Sequence, residues 1–174
     1  MVAINDQAIW GVGPNAQPLL VPAALRGYRA MKVRRLRDQP ATWALHGIRT
    51  PWRSGTMRAV CLATDDPCGD APNYNCSCGI YHSYTPNLGN DRPDLNLLIV
   101  TASRGRVLLG TRGFRSQQAR LLAAAPRPVY PAWRASEPLW QRQCQVMDCL
   151  GIRVFPTLQA LVEAFPPEDM SSLL

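Results

Sequence analysis

The sequence predicts an α+β fold in which a small, mixed or antiparallel, barrel-like sheet precedes two or three C-terminal helices. Three observations carry this prediction. Alternating or compact apolar runs typical of strands recur up to residue 109. Segments with helix caps and one apolar face follow residue 113. Sixteen prolines and twelve glycines in 174 residues favour short elements joined by many turns rather than a helical bundle.

A chain of this length can bury an adequate core as one domain. We divide it into an N-terminal arm over residues 1–22, a β-rich half over 23–94, a hairpin with helices over 95–167 and a frayed tail over 168–174. The loop over 83–94 is rich in proline, glycine and asparagine, which makes it the best candidate for a boundary between the two halves.

Strands are predicted in both halves. Residues 28–33 alternate between two faces, and residues 43–45 are extended. Residues 57–63 are predicted to form a strand that contains Cys61, the first cysteine of the chain. The compact apolar run 95–101 predicts a buried strand. Residues 106–109 are expected to pair back onto that run across a turn at positions 104 and 105.

Three helices are predicted. The first covers residues 116–125, between a serine N-cap and a proline. The second covers residues 138–150, and Gly151 is its C-terminal stop. A short strand over 152–155 separates it from the third helix, which Thr157 caps.

Four of the six cysteines fall in one short stretch. They are Cys61, Cys68, Cys76 and Cys78. Zinc favours a closed tetrahedron of four thiolate or imidazole ligands. In an extended segment the side chains of Cys76 and Cys78 point to one face, because they are two residues apart. Gly79 can take the positive φ that a tight turn around a metal requires. We therefore predict a structural zinc ion that stabilises the fold on the order of 10 kcal/mol, with His82 as a reserve ligand.

Disulfide bridges and four unrelated buried thiols are the alternatives, because the spacing is looser than that of paired C-x-x-C motifs. Aspartates and prolines make this stretch too polar for a buried core. Residues 1–13 lack the basic and apolar regions of a signal peptide, and about 18 consecutive apolar residues occur nowhere. We expect a cytoplasmic protein without a membrane partner, which favours reduced cysteines.

The net charge of +7 is unevenly distributed. Residues 26–58 carry nine basic side chains against one aspartate, and residues 104–153 carry nine arginines against two acidic residues. All but one of the 19 basic side chains are arginine. The planar guanidinium suits phosphates and base edges, although a GC-rich genome produces the same bias without any function.

From the first basic block we predict a nucleic-acid-binding surface. Its residues are Arg34, Arg35, Arg37, Arg49, Trp52, Arg53 and Arg58. Trp52 is the predicted exposed residue for base stacking, with Tyr81 as a second candidate, on a scaffold loosely similar to PUA-type barrels. The partner would be DNA or RNA. The alternative is a protein-interaction or assembly component, including a phage-encoded one, that binds an acidic partner, and a solvated surface is the third interpretation of the arginine blocks.

The sequence does not favour an enzyme. A nucleophile pair would combine Cys61 or Cys78 with His46 or His82, and no motif positions an Asn or Asp beside it. A shell of four thiolates also leaves no metal position for a substrate. The two remaining cysteines, Cys144 and Cys149, are five residues apart on a predicted helix and lie on different faces of it. We interpret them as core thiols.

A series of different short motifs lies between residue 27 and residue 154. They are Gly27-Tyr28-Arg29-Ala30, Trp52 with Gly55, Arg58-Ala59-Val60-Cys61, Ala71-Pro72, Cys76-Ser77-Cys78-Gly79-Ile80-Tyr81, Gly105-Arg106-Val107-Leu108-Leu109-Gly110, Gly113-Phe114-Arg115 and Leu150-Gly151-Ile152-Arg153-Val154. Together they resemble an uncharacterised family of actinobacterial and actinophage proteins. The resemblance implies a zinc-knuckle-like motif and no particular activity. Where the family has a histidine before Ala-Pro, this chain has Gly69 beside Cys68, an exchange that a zinc shell tolerates.

Overall fold

A computed structural model describes residues 19–20, 24–39, 41–47, 50–63, 67–87, 94–127 and 137–169. Within these segments the architecture is α+β, with one large sheet and two helices. The predicted α+β class is therefore confirmed, whereas the sheet is large rather than small. None of the helices in the described part of the chain is long and apolar enough to cross a membrane.

The elements are numbered in chain order. The strands are β1 (Leu19–Leu20), β2 (Leu25–Arg35), β3 (Trp43–His46), β4 (Pro51–Trp52), β5 (Thr56–Arg58), β6 (Ile80–Ser83), β7 (Leu97–Leu109), β8 (Gly113–Pro126) and β9 (Arg153–Val154). The helices are α1 (Glu137–Cys149) and α2 (Leu158–Ala164).

A long antiparallel hairpin of β7 and β8 forms the centre of the sheet, and its register runs from Leu97 opposite Pro126 to Leu109 opposite Phe114. Strand β2 pairs with β7, β6 pairs with β8, and β6 also pairs with β2. These four strands therefore form a closed cycle of pairings. Strands β3 and β4 extend the sheet from β2, β1 lies beside β7, and β5 and β9 both pair with β8.

Both faces of the central hairpin are covered. Alternate residues of β7 enter two separate apolar clusters, with Leu97 and Ile99 in one and Leu98 and Val100 in the other. Helix α1 contributes Val146 and Met147 to the first cluster, and α2 contributes Leu161 to the second. Because successive side chains of a strand point to opposite faces, the two helices bury the two sides of the same strands.

The predicted helix over residues 116–125 is wrong, because this segment is part of β8. Its alanines at positions 123, 124 and 125 are fully buried. A strand buried on both faces has no polar alternation, so its short apolar run cannot be distinguished from a buried helix by periodicity alone. The segment forms a strand rather than a helix because it pairs with β7 along its whole length.

The predicted turn at positions 104 and 105 is also wrong. Strand β7 continues through it with a register shift between Arg104 and Val107, and Gly105 has a φ of 76° within this irregular segment. The chain reverses at residues 110–113, where the Gly110 amide donates to the Gly113 carbonyl oxygen at 2.8 Å. The predicted strand over 57–63 is shorter than expected, since only Thr56–Arg58 pairs as β5.

Several local predictions are confirmed. Strands β2 and β3 include the segments 28–33 and 43–45, and α1 ends two residues before Gly151, whose φ is 66°. The Thr157 side chain caps α2 by accepting a hydrogen bond from the Ala160 amide at 3.1 Å. Most of the predicted N-terminal arm and the last five residues of the tail lie outside the described residues.

Candidate metal centre

The four clustered cysteines come from two segments. Cys61 follows β5, while Cys68, Cys76 and Cys78 lie in the loop before β6. Their sulfur atoms all lie within 4.8 Å of one another. The Cys61 and Cys76 sulfurs are 3.6 Å apart, and those of Cys68 and Cys78 are 3.3 Å apart. A zinc ion with bonds of about 2.3 Å to four thiolates requires sulfur separations of about 3.8 Å, so this cluster could hold a metal ion.

The loop backbone accommodates the cluster through Gly79, which has a φ of 120°. A Cβ atom at this position would lie 2.9 Å from the Pro72 Cβ and 3.1 Å from the Arg115 Cβ. Both the conformation and the lack of space therefore require glycine. The positive φ predicted from the sequence is confirmed, and it lets the chain turn directly after Cys78 into β6.

The loop is fixed to the sheet by hydrogen bonds to its carbonyl groups. Arg115 of β8 is 2% exposed, and its guanidinium donates to the carbonyl oxygens of Cys76 and Cys78. Ser77 lies between these two cysteines in the chain, and its carbonyl oxygen accepts a hydrogen bond from the Tyr81 hydroxyl at 2.6 Å. No local pattern in the sequence connects Arg115 with the cysteines, and the only signal for this residue is the family-like motif Gly113-Phe114-Arg115.

The electrostatics of the site favour a metal-bound state. The ion pairs found within the described residues give Arg115 no carboxylate partner. Four thiolates around a divalent cation carry a net charge of −2, which would supply the missing countercharge. A buried guanidinium without such a charge costs free energy, so Arg115 and a metal-bound cluster would compensate each other.

The thiol pKa values differ within the cluster. Backbone amide donors at Cys68 and Ala63 lower the pKa of Cys61 to about 7. Burial raises the pKa of Cys68 and that of Cys76, and the neighbouring thiols add to this effect. Because a metal binds thiolates, occupation of the site would release the protons that the raised values retain. All four residues are free cysteines rather than disulfides.

His82 does not join the cysteines, so the prediction of a reserve ligand is wrong. The residue is fully buried, and its Nδ1 and Nε2 atoms each lie 2.8 Å from a hydroxyl, of Thr101 and Ser116 respectively. The Thr101 hydroxyl donates to the Gly27 carbonyl oxygen and therefore accepts from Nδ1. Burial, followed by the charge of Arg29, lowers the pKa of His82 well below its usual range, so the ring is a neutral core group.

The predicted nucleic-acid residues divide between two parts of the sheet. Arg34, Arg35 and Arg37 lie at the end of β2 and are exposed. Arg53 lies beside them, because its guanidinium forms an ion pair with Asp38 at 2.7 Å. Arg58 lies elsewhere, on β5, which pairs with β8. Arg49 lies outside the described residues.

The prediction that Trp52 is exposed for stacking is wrong, because its side chain is 2% exposed. Strand β4 pairs with β3, with Trp52 opposite Leu45, and both side chains belong to the apolar cluster beneath α1. The half-buried Trp43 lines a cavity of about 400 Å³ between β3, β4 and α1 instead. The guanidinium carbons of Arg35 and Arg142 lie 5.2 and 5.3 Å from the centroid of its ring.

The expectation that Cys144 and Cys149 are core thiols is met only in part. Cys144 is half-buried and Cys149 is exposed, at the end of α1. Neither belongs to the group of four cysteines that could hold a metal. The helical spacing placed them on different faces, and the structure agrees with that separation.

Comparisons of the chain with protein-family models, with curated proteins and with solved structures found no match. The resemblance to an actinobacterial and actinophage family therefore stays a prediction. What the chain can bind follows from the geometry of its own residues.

Proposed function

We propose that this protein is a non-enzymatic, zinc-stabilised nucleic-acid-binding module. The observation that carries the zinc component is the approach of four cysteine sulfurs to within 4.8 Å of one another. Soft thiolate ligands in a tetrahedral set favour zinc over hard cations such as magnesium or calcium. With all four positions filled by protein, the metal would have a structural role, and Cys61, Cys68, Cys76 and Cys78 would be its ligands.

The nucleic-acid component is supported by the cavity beside Trp43. Aromatic rings and guanidinium planes are the groups on which proteins stack unpaired bases. Trp43 has Arg35 and Arg142 at cation–π distance, and Arg53 lines the same cavity. In this proposal Trp43, rather than the buried Trp52, is the residue on which a base stacks. The exposed Arg34 and Arg37 would contact phosphates nearby.

The finer fold assignment is part of the same proposal. The closed cycle of pairings among β2, β7, β8 and β6 supports a barrel-like sheet. A likeness to PUA-type barrels would agree with such a scaffold, and membership of the actinobacterial and actinophage family is proposed separately, on the sequence motifs. The metal loop would then close one side of the sheet through Arg115.

A second candidate function is binding of a protein partner. Val60 and Leu62 flank Cys61, and their exposed fractions are 69% and 55%. Exposed aliphatic residues of this kind can anchor a protein interface. The acidic partner suggested by the charge distribution would contact this patch together with the arginines.

One experiment separates the two candidates. Binding of a labelled single-stranded oligonucleotide and of a labelled duplex is measured by fluorescence anisotropy over a range of salt concentrations. We expect wild-type affinity to fall log-linearly with salt, and Trp43→Leu to weaken binding of the single strand more than binding of the duplex. The control variant Val60→Ser/Leu62→Ser should bind both as wild type does. Absence of binding to either probe at low salt would refute the nucleic-acid proposal.

A further inference from the structure

Arg58 shares its face of the sheet with other arginines from neighbouring strands. In the register of β5, β8 and β7, it lies opposite Gln118, which lies opposite Arg104. In the neighbouring row, Thr56 lies opposite Arg120, which lies opposite Ala102. Directly opposed residues share one face of a sheet, and so do residues two apart on a strand. Three strands therefore bring Arg58, Arg104 and Arg120 to one face.

This arginine face, defined by Arg58, Arg104 and Arg120, is open to solvent. All three side chains are exposed, as is Gln118 between them. Since neighbouring strands are about 5 Å apart, the backbones of the outer two arginines are separated by about 10 Å. They border a shallow cleft of about 210 Å³ with the small Ala102 among its lining residues. The cleft is large enough to admit a charged group between the guanidiniums.

Within the described part of the chain, no acidic side chain balances the charges on this face. None of the residues lining the cleft is acidic, and the ion pairs of the described residues include none of the three arginines. The contrast with Arg26 is direct, because Arg26 continues the same row on β2 opposite Ala102 and pairs with Glu168 at 3.2 Å. Arg120 is diagonal to both Arg58 and Arg104, within reach of their long side chains. A bound external anion would reduce the repulsion among these like charges.

We propose that the arginine face binds the phosphodiester backbone of a nucleic acid, independently of base sequence. This inference rests on the proposed function and adds a second contact surface to it. A guanidinium presents paired N–H donors that match two phosphate oxygens, and the side chains of Gln118 and Thr56 offer further donors. The lining contains no exposed aromatic or large aliphatic residue that could stack on a base or anchor a protein. Phosphate contacts here would position the strand, while Trp43 would contact a base.

The test compares two double variants with the same loss of charge. Arg104→Gln/Arg120→Gln removes two arginines of the face, and the control Arg112→Gln/Arg153→Gln removes two exposed arginines elsewhere. Binding of a labelled single-stranded oligonucleotide is measured by anisotropy against salt. We expect the first variant to lose about tenfold in affinity at low salt, and its salt slope to fall by about 2, whereas the control changes little. Zinc content should match wild type in both. Unfolding curves should stay close to that of wild type, with a small loss of stability in the control, because the guanidinium carbon of Arg153 lies 4.5 Å from the centroid of the Phe155 ring.

The other outcomes are distinct. Equal losses in the two double variants would overturn the inference, because only total charge would then matter. If the wild type binds no oligonucleotide, the proposed function itself fails. If polyglutamate competes as effectively as the oligonucleotide, the face binds acidic polypeptides and the phosphate assignment is wrong. The variant Arg104→Lys/Arg120→Lys should retain most of the salt slope, because it keeps both charges.

Discussion

The Nη1 atom of Arg115 donates to the carbonyl oxygen of Cys78 at 3.0 Å. The arginine belongs to the centre of the sheet and the cysteine to the candidate metal loop, 37 residues earlier in the chain. The same nitrogen also donates to the Cys76 carbonyl oxygen. This buried contact makes the position of two candidate metal ligands depend on the register of β6 against β8, in which Tyr81 lies opposite Arg115.

Replacement of Arg115 tests that dependence. Arg115→Met should lower the free energy of unfolding of the zinc-bound protein by about 3 kcal/mol, because it leaves two carbonyl groups without their donor and leaves the negative charge of the zinc-bound cluster without its countercharge. It should also weaken zinc binding about tenfold, as loss of a group that orients the ligands does. Urea denaturation and competition with a chelator measure the two effects. Arg112→Met, at an exposed turn position, is the matched control.

The two measurements separate structure from metal binding. If Arg115→Met loses stability equally in the presence and absence of zinc, and its zinc affinity is unchanged, the arginine supports the fold without acting on the metal. If zinc affinity falls in Arg112→Met as well, overall charge rather than the contact with the loop explains the effect.

Removal of two cysteine ligands should remove the metal. We expect wild-type protein purified without added metal to contain one zinc per chain by plasma emission, and Cys76→Ser/Cys78→Ser to contain none. Because zinc binding contributes folding free energy on the order of 10 kcal/mol, the variant should unfold. The control Cys144→Ser/Cys149→Ser, outside the cluster, should keep its zinc. A wild-type protein without metal, in which all thiols titrate, would contradict the zinc assignment.

The buried His82 predicts a loss of stability in acid. Its pKa is lowered in the folded state by burial first and by Arg29 second, so below the ordinary value of 6.5 the unfolded chain binds a proton that the folded chain does not. Stability therefore falls as the pH falls below about 6.5, by about 1 kcal/mol per pH unit for this residue. Denaturation at several pH values should show a shallower fall in His82→Gln than in wild type.

The control for this prediction is His46→Gln, which retains His82. His46 also has a lowered pKa, caused mainly by its burial, so each variant should remove only its own part of the pH dependence. A zinc ion bound at the four cysteines would contribute equally to wild type and both variants. A profile in His82→Gln as steep as that of wild type would show that His82 does not titrate on unfolding in this range.

The lack of space around Gly27 predicts that a larger residue at this position would clash with the core. A Cβ atom at this position would lie 2.7 Å from the Cβ of His82 and 2.9 Å from the ring of Phe114. The two rings are themselves stacked, with centroids 4.6 Å apart, and cannot both move aside. Gly27→Ala should therefore destabilise the protein by about 3 kcal/mol in urea denaturation.

Gly151→Ala is the comparison for this effect, since nothing lies within 4 Å of its added Cβ and its φ is 66°. The free energy of unfolding of Gly151→Ala should fall by only about 1 kcal/mol, the cost of placing alanine in a left-handed backbone conformation. Equal costs in the two glycine variants would mean that the core around His82 relaxes to accept a methyl group.

The sequence determined those features that depend on short stretches of chain. The alternation in β2, the Thr157 cap, the glycine after α1 and the positive φ of Gly79 were all predictable, because each depends on residues within a few positions of one another. The four cysteines were also identifiable as a group from their spacing, and the structure brings their sulfurs together.

Tertiary structure alone decided what depends on pairing between distant strands. It made residues 116–125 a strand rather than a helix, buried Trp52 against β3, and brought Arg115 into contact with the candidate metal loop. It also separated Arg58 from the other predicted arginines and joined it to Arg104 and Arg120. The physical reason is that strand register is fixed by burial of both sheet faces, and no local pattern in one segment specifies which distant segment completes that burial.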